Sequence, residues 1–219
     1  MSLTKNYYTS DTHFSHHRIL QFERSSKFQT IYEHDGFLTK KFTEWAERWP
    51  AGSTLYFLGD FGNPEYLWVL DLIRQYNKYV VFIRGNHDSK TIIDILPKYV
   101  DEFYEYPIYL SNRLVLSHFP TRGWNSTLNV CGHLHGAVLN SPNYINANIA
   151  INNYQPVTEK QVQQQLGRLP GFQSKFLYEE WADMYKFIQP KDDCVYGPDG
   201  NIDLSASRLR FKMNHEKEN

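Results

Sequence analysis

The sequence of 219 residues predicts an α/β protein whose strands build a mixed β-sheet. Three observations lead there. Short runs rich in β-branched and aromatic residues break off abruptly in polar or glycine-containing loops, as buried strands do. Stretches with apolar residues at helical spacing lie between the first of these runs, so strands and helices alternate. One segment, "IYLSNRLVL", reads as a hairpin, and a hairpin brings antiparallel pairing into an otherwise parallel sheet.

The elements follow in order. "NYYTSD" is the first strand. Leu38, Phe42, Trp45 and Trp49, spaced four, three and four residues, mark the apolar stripe of a helix. "STLYFLGD" is the second strand, and after Pro64 the residues Leu67, Leu70 and Arg74 set a second helical rhythm. "YVVFIRGNHD" is the third strand. In the hairpin, Ser111 and Asn112 are expected at the turn, because Asn tolerates positive φ. "RLVLSH", "LNVCGH" and "INANIAIN" read as further strands. Thr158 with Gln161 forms a capping box ahead of Val162, Leu166 and Leu169, and Pro170-Gly171 stops that helix. The domain is therefore expected over residues 1–170. Residues 171–219 read as an extension packed on the core, with the aromatic and acidic stretch "KFLYEEWADMYKFI", a turn at "GPDGN" and a disordered polar end, "NHEKEN".

Composition excludes several classes. Lys and Arg number 23 against 24 Asp and Glu, so no bulk field favours nucleic acid or an anionic membrane. No charged-then-apolar leader and no apolar run of about 18 residues is visible, and only Cys131 and Cys194 occur, so a reducing cytoplasm is the expected compartment and no membrane the expected partner. Cys131, among apolar neighbours, reads as a small core residue. No residue pattern dictates an oligomeric state.

The chemistry sits just beyond the strand ends. Asp11 and His13 follow the first strand, Gly59-Asp60 the second, Gly85-Asn86-His87-Asp88 the third, His118 a fourth, and Gly132-His133-Leu134-His135 a fifth. Loops at the carboxyl ends of strands in an open α/β sheet converge on one crevice, so scattered residues can meet there. Any one of them alone would pass as a cap or turn residue, and Asp11 could start a helix. All five in order, each behind a strand and holding five of nine histidines, point instead to a metal site. Asp, Asn and His without thiolate suit Mn, Fe, Zn or Ni, and the number of donors suits two ions sharing one carboxylate. Two such ions can clamp an in-line phosphoryl displacement and lower the pKa of a bridging water. His87 is the histidine that the two shells do not require, which leaves it for the leaving group.

The motifs D-x-H, G-D, G-N-H-D, a lone H after a strand and G-H-x-H, in that order over residues 5–157, resemble the calcineurin-like metallophosphoesterase superfamily. "DTHFSHH" and "NNYQPV" are most similar to its short bacterial and phage phosphoesterases. The resemblance implies a four-layer αββα sandwich of two mixed sheets flanked by helices, with a dinuclear site at the carboxyl ends of the strands. It implies Asp11, His13 and His135 on one ion, Asn86, His118 and His133 on the other, and Asp60 bridging. It casts His87 as proton donor, oriented by Asp88 through a hydrogen bond. Manganese is the favoured metal.

Departures from the superfamily's subtypes narrow the substrate. "GDFGNPEY" lacks the Asp-Arg pair of the protein phosphatases, and the neutral charge balance gives no sign of a DNA-capping domain. A small phosphodiester or nucleotide is the expected substrate, with a nuclease or a non-catalytic metal-binding scaffold as the alternatives. His16, Arg18, Arg84, Arg122 and Trp124 lie near the motif loops and are candidate substrate contacts.

Overall fold

The computed structural model describes residues 5–21, 27–121, 125–137 and 139–171. The chain divides into two compact units, Met1–Gly171 and Phe172–Asn219, and the expectations for the extension lie outside the described residues. Five strands form the first sheet, in the order β4 (Glu102–Tyr104), β3 (Tyr79–Ile83), β2 (Thr54–Phe57), β1 (Asn6–Thr9) and β9 (Val157–Thr158). The first four run parallel, and β9 is antiparallel to β1. The second sheet has the order β5 (Ile108–Ser111), β6 (Leu114–Ser117), β7 (Leu128–Cys131) and β8 (Tyr144–Asn146), antiparallel in its first pair and parallel in the rest.

Alternation along the strands sends their side chains into two separate cores. Tyr7, Leu55, Phe57, Val80 and Phe82 pack under α1 (Ile31–Arg48) and α2 (Trp68–Gln75), against Leu38, Phe42, Trp45, Leu70 and Ile73. Tyr8, Leu58 and Ile83 point the other way and meet Leu114, Leu116, Leu128 and Val130 of the second sheet. Each such buried side chain contributes about 1.5–3 kcal/mol, which makes these two layers the main source of stability. The expected fold class is found: two mixed sheets stacked face to face with flanking helices. Thr30 caps α1 by accepting the Glu33 N–H, and Trp49, just past its end, stacks on Tyr7 at 3.8 Å. Helix α4 (Glu159–Arg168) begins with the expected Thr158–Gln161 capping box and sends Val162 into the core between the sheets. No helix among the described residues is long and apolar enough to cross a membrane.

Two expectations need correction. The hairpin exists, but its turn is Asn112–Arg113, with Ser111 still paired to Leu114 and Asn112 outside the positive-φ set. A register shift between Tyr109 and Ser111 supplies the slack, and the Ser111 hydroxyl oxygen accepts the Arg113 N–H. "INANIAIN" is a strand only up to Asn146. Beyond it, Asn146 and Asn148 each accept the N–H two residues on, and the chain leaves the ladder for a single bridge between Asn148 and Ser10. Three short elements, β4, β9 and α3 (Lys90–Ile95), were not expected from the sequence.

Registers Thr9↔Phe57 and Phe57↔Phe82 end β1, β2 and β3 level with one another, and Ser117↔Cys131 does the same for β6 and β7. The sheets are joined at this end. Ser10 donates its N–H to Ala147 O, and Ala147 donates to Cys131 O.

Candidate metal centre

All five motif loops leave the sheets at that common end. Asp11 N donates to Gly59 O, His13 N to Asp60 O and Phe14 N to Phe61 O, so the first two loops form a short ladder of their own. This ladder holds the first loop out of the helix that Asp11-Thr12-His13 would otherwise allow. Asp11, His13, Asp60, His133 and His135 all adopt left-handed backbone, with φ between 48° and 66°. Each costs about 1–3 kcal/mol in an L-residue, and such strain concentrates where side chains must be aimed at a common point. Two glycines make room for that. A side chain at Gly85 would run into the carboxylate and backbone of Asp60, and one at Gly132 would stand 2.7 Å from Asp11 Oδ2 and Ser10 Oγ.

The side chains gather into two groups, each able to hold a metal ion. Asp11, His13 and His135 form one, and Asp60, His118 and His133 the other, with the donor atoms of each group within 4.8 Å of one another. Asp60 Oδ2 lies between them, 3.6 Å from His13 Nε2 and 3.3 Å from His118 Nε2. Asn86 Oδ1 joins the second group, 2.8 Å from His118 Nε2 and 3.0 Å from His133 Nδ1. Asp11 receives the Ser10 hydroxyl at 2.5 Å and the His133 N–H, which ties the first loop to the last.

The residues fit divalent ions. Asp60 Oδ2 is buried, and its neighbours among the described residues are two imidazole nitrogens, at 3.3 and 3.6 Å, neither in good hydrogen-bond geometry. A buried carboxylate oxygen left in that condition is costly unless a cation meets it. Burial pushes Asp60 up, yet the His118 imidazole, the His87 N–H and His13 outweigh it and hold the carboxyl below its ordinary range. Burial alone would lower His118, and Asp60, Asp11 and the Leu58 carbonyl outweigh that and raise it. Burial lowers His133, with His118 adding to the effect, which favours the neutral, ligating imidazole.

A pH dependence follows. Burial pushes Asp11 up to about 6 before any ion binds, against the Ser10 and His118 contacts that lower it. Below that pH the proton competes with the ion, so binding weakens as pH falls through about 6, by up to roughly tenfold per unit for each proton displaced. The raised His118 acts in the same direction. The manganese-induced rise in melting temperature should thus be much larger at pH 7.5 than at pH 5, and an equal rise at both would refute the coupling.

Asp88 departs from its expected part. Its carboxylate accepts the backbone N–H groups of Asp60 (2.9 Å), Phe61 (2.9 Å) and Gly85 (2.7 Å), and not the His87 ring. It is a brace for the two turns that present Asp60 and Asn86. His87 donates its own N–H to Asp60 Oδ1 at 2.8 Å, and its ring is exposed, edge-on to His13 at 5.4 Å.

Of the candidate substrate contacts, His16 reaches the centre, with Nδ1 3.4 Å from His13 Nδ1 and its ring 5.7 Å from that of His87. Arg18 is exposed in the short helical turn His17–Gln21, and Arg84 pairs with Glu105 at 3.7 Å. Arg122 and Trp124 lie outside the described residues. Two residues were missed from the sequence. Asp35 in α1 accepts the N–H and hydroxyl of Ser15, and its other oxygen lies 2.8 Å from the buried His34, so α1 pins the loop that carries His13 and His16. Phe119 packs against His133 with its ring tilted by 51° and the ring centroids 4.4 Å apart. The only hint of Phe119 in the sequence was its place directly after His118.

Comparison with known proteins identifies the family. The family model described as calcineurin-like phosphoesterase matches residues 7–204, running past residue 157 where the motif resemblance ends. An uncharacterized protein of Methanocaldococcus jannaschii is 30% identical over 174 residues, covering 72% of this chain and 89% of its own. The crystal structure of a protein of unknown function from Aquifex aeolicus superposes with a TM-score of 0.57 at 24% identity, over 74% of this chain and 99% of that one, which is a likeness of fold. The nuclease MPE of Pseudomonas putida gives a TM-score of 0.34 at 20% identity, over 59% of this chain and 61% of its own. On the family match and the Methanocaldococcus relative together, the chain belongs to the calcineurin-like phosphoesterases.

Proposed function

We propose that the protein is a metal-dependent phosphoesterase that hydrolyses a small phosphodiester or nucleotide, with manganese as the favoured ion. In this reading Asp11, His13 and His135 hold one ion, Asn86, His118 and His133 the other, and Asp60 is shared. The observation that carries it is Asp60 Oδ2, buried between two groups of nitrogen and oxygen donors, with only the His118 and His13 imidazoles facing it among the described residues. When bound, two divalent ions supply a nucleophile from water near neutral pH and draw charge from the phosphoryl oxygens. The chain's own residues do the rest. Asp88 fixes the turn at Asp60, the His87 N–H holds the other Asp60 oxygen, and the exposed His87 ring delivers a proton to the departing oxygen as its bond to phosphorus breaks. His16 flanks His87 on the same side. A cytoplasmic location goes with this reading; Cys131 is buried and forms no disulfide among the described residues.

The test is hydrolysis of bis-p-nitrophenyl phosphate and of p-nitrophenyl phosphate by chelator-stripped protein, with and without manganese. Manganese-dependent cleavage of the diester is expected. Cleavage of the monoester alone would redirect the assignment to a phosphatase, and bound metal without cleavage of either would favour the scaffold role.

A further inference from the structure

We infer that Phe119 is a stacking platform for a planar substituent retained on the phosphorus, a nucleobase or aryl group; the inference rests on the phosphoesterase reading and names its substrate class. An exposed phenylalanine is unremarkable by itself, since folded proteins leave much apolar surface in water. Phe119 is different because of where it stands and how firmly it is held. It is 50% exposed, yet its ring lies tilted against His133 and perpendicular to the ring of His118, with centroids 4.4 and 5.1 Å away, both members of the second ligand group.

Its backbone is held from below. The Ser117 hydroxyl donates to Phe119 O at 2.6 Å, and Ser117 is fully buried. Asn129, also buried, donates to Ser117 Oγ at 2.9 Å and to Val115 O, while its own oxygen accepts the Thr121 N–H at 2.7 Å. The His118–Thr121 loop is therefore anchored on both sides of the ring by buried polar groups. The backbone that carries the ring is thus fixed before any substrate arrives, which lowers the ordering cost of a contact there.

The ring carries no charge and cannot serve the phosphate, so it serves the ester substituents. The two ends of the centre differ. His87 and His16 crowd the first group, beside His13, while Phe119 flanks His118 and His133 of the second. The proton for the leaving group comes from the His87 end, so the substituent that stays on the phosphorus lies toward Phe119. A flat aromatic group there gains contact area on the exposed half of the ring.

Two chromogenic diesters with the same leaving group isolate this contact: thymidine 5′-(p-nitrophenyl) phosphate and methyl p-nitrophenyl phosphate, hydrolysed by the manganese-loaded full chain. Loss of a base–aromatic stack is worth about tenfold to a hundredfold. Phe119→Ala should lower the ratio of kcat/KM for the thymidine ester over the methyl ester by that factor, mainly through KM, and Phe119→Trp should preserve the ratio. A parallel arm needs no turnover: with manganese present, the wild type should bind thymidine 5′-monophosphate more tightly than methyl phosphate, and Phe119→Ala should erase that preference. An equal loss on both esters, or an unchanged preference in either arm, overturns the inference and leaves Phe119 as packing for the histidines. If the wild type hydrolyses neither ester but binds the nucleotide through Phe119, the catalytic reading fails and the binding inference stands.

Discussion

Replacing Asp60 by Asn is expected to lower phosphoester hydrolysis by at least about a thousandfold while the chain stays folded; removing one pre-organised electrostatic partner typically costs about 10²–10³, and in the proposed centre Asp60 is shared by both groups. The change is nearly isosteric. Asn can keep an oxygen where Oδ1 accepts the His87 N–H, and it suits the left-handed backbone at φ 58° better than most residues. The amide nitrogen then falls where Oδ2 stands, 3.3 Å from His118 and 3.6 Å from His13. A negative oxygen becomes a neutral donor aimed at a place that requires an acceptor. Metal content measured on the purified variant should fall, and its circular-dichroism melt without metal should match that of the wild type. Full activity with full metal content would remove Asp60 from the centre and with it the two-ion assignment.

Why this residue could be found from the sequence, and others could not, has a physical reason. The first three strands are buried on both faces, so they appear as unbroken apolar runs with their polar ends exposed to view, and Asp11, Asp60 and Asn86 sit directly behind them. The histidines of the second sheet are placed by the same rule. What stayed hidden depends on direction rather than position. Asp88 adjoins His87 in the chain, but its carboxylate turns to backbone 27 and 28 residues earlier. Asp35 sits in a helix beside His34, where a charge usually means a solvated face, and instead it reaches Ser15 twenty residues away. Strand β9 is two residues long and has no pattern to detect. A period or a motif reports where a side chain starts, and only the fold decides what it touches.

Asp88→Ala is the substitution expected to cost most in stability, about 3–5 kcal/mol. It would leave the N–H groups of Asp60, Phe61 and Gly85 without their acceptor in a site where Asp88 is 2% exposed, and each orphaned donor costs about 1–3 kcal/mol before the loops relax. The melting temperature should drop by roughly 10 °C in a domain of this size. Asp88→Asn is only a partial remedy, because its amide adds a donor among three donors. His87→Ala removes the exposed ring and leaves this brace intact, so it should lower kcat by about 10²–10⁴ with little change in melting temperature. The double variant separates the two possible parts for Asp88. If Asp88 acted by orienting the His87 ring, replacing it by Asn would do nothing further to kcat once the ring was gone. If it braces the turns that present Asp60 and Asn86, the loss of metal affinity and of rate persists in the His87→Ala background. The three backbone bonds require the second result.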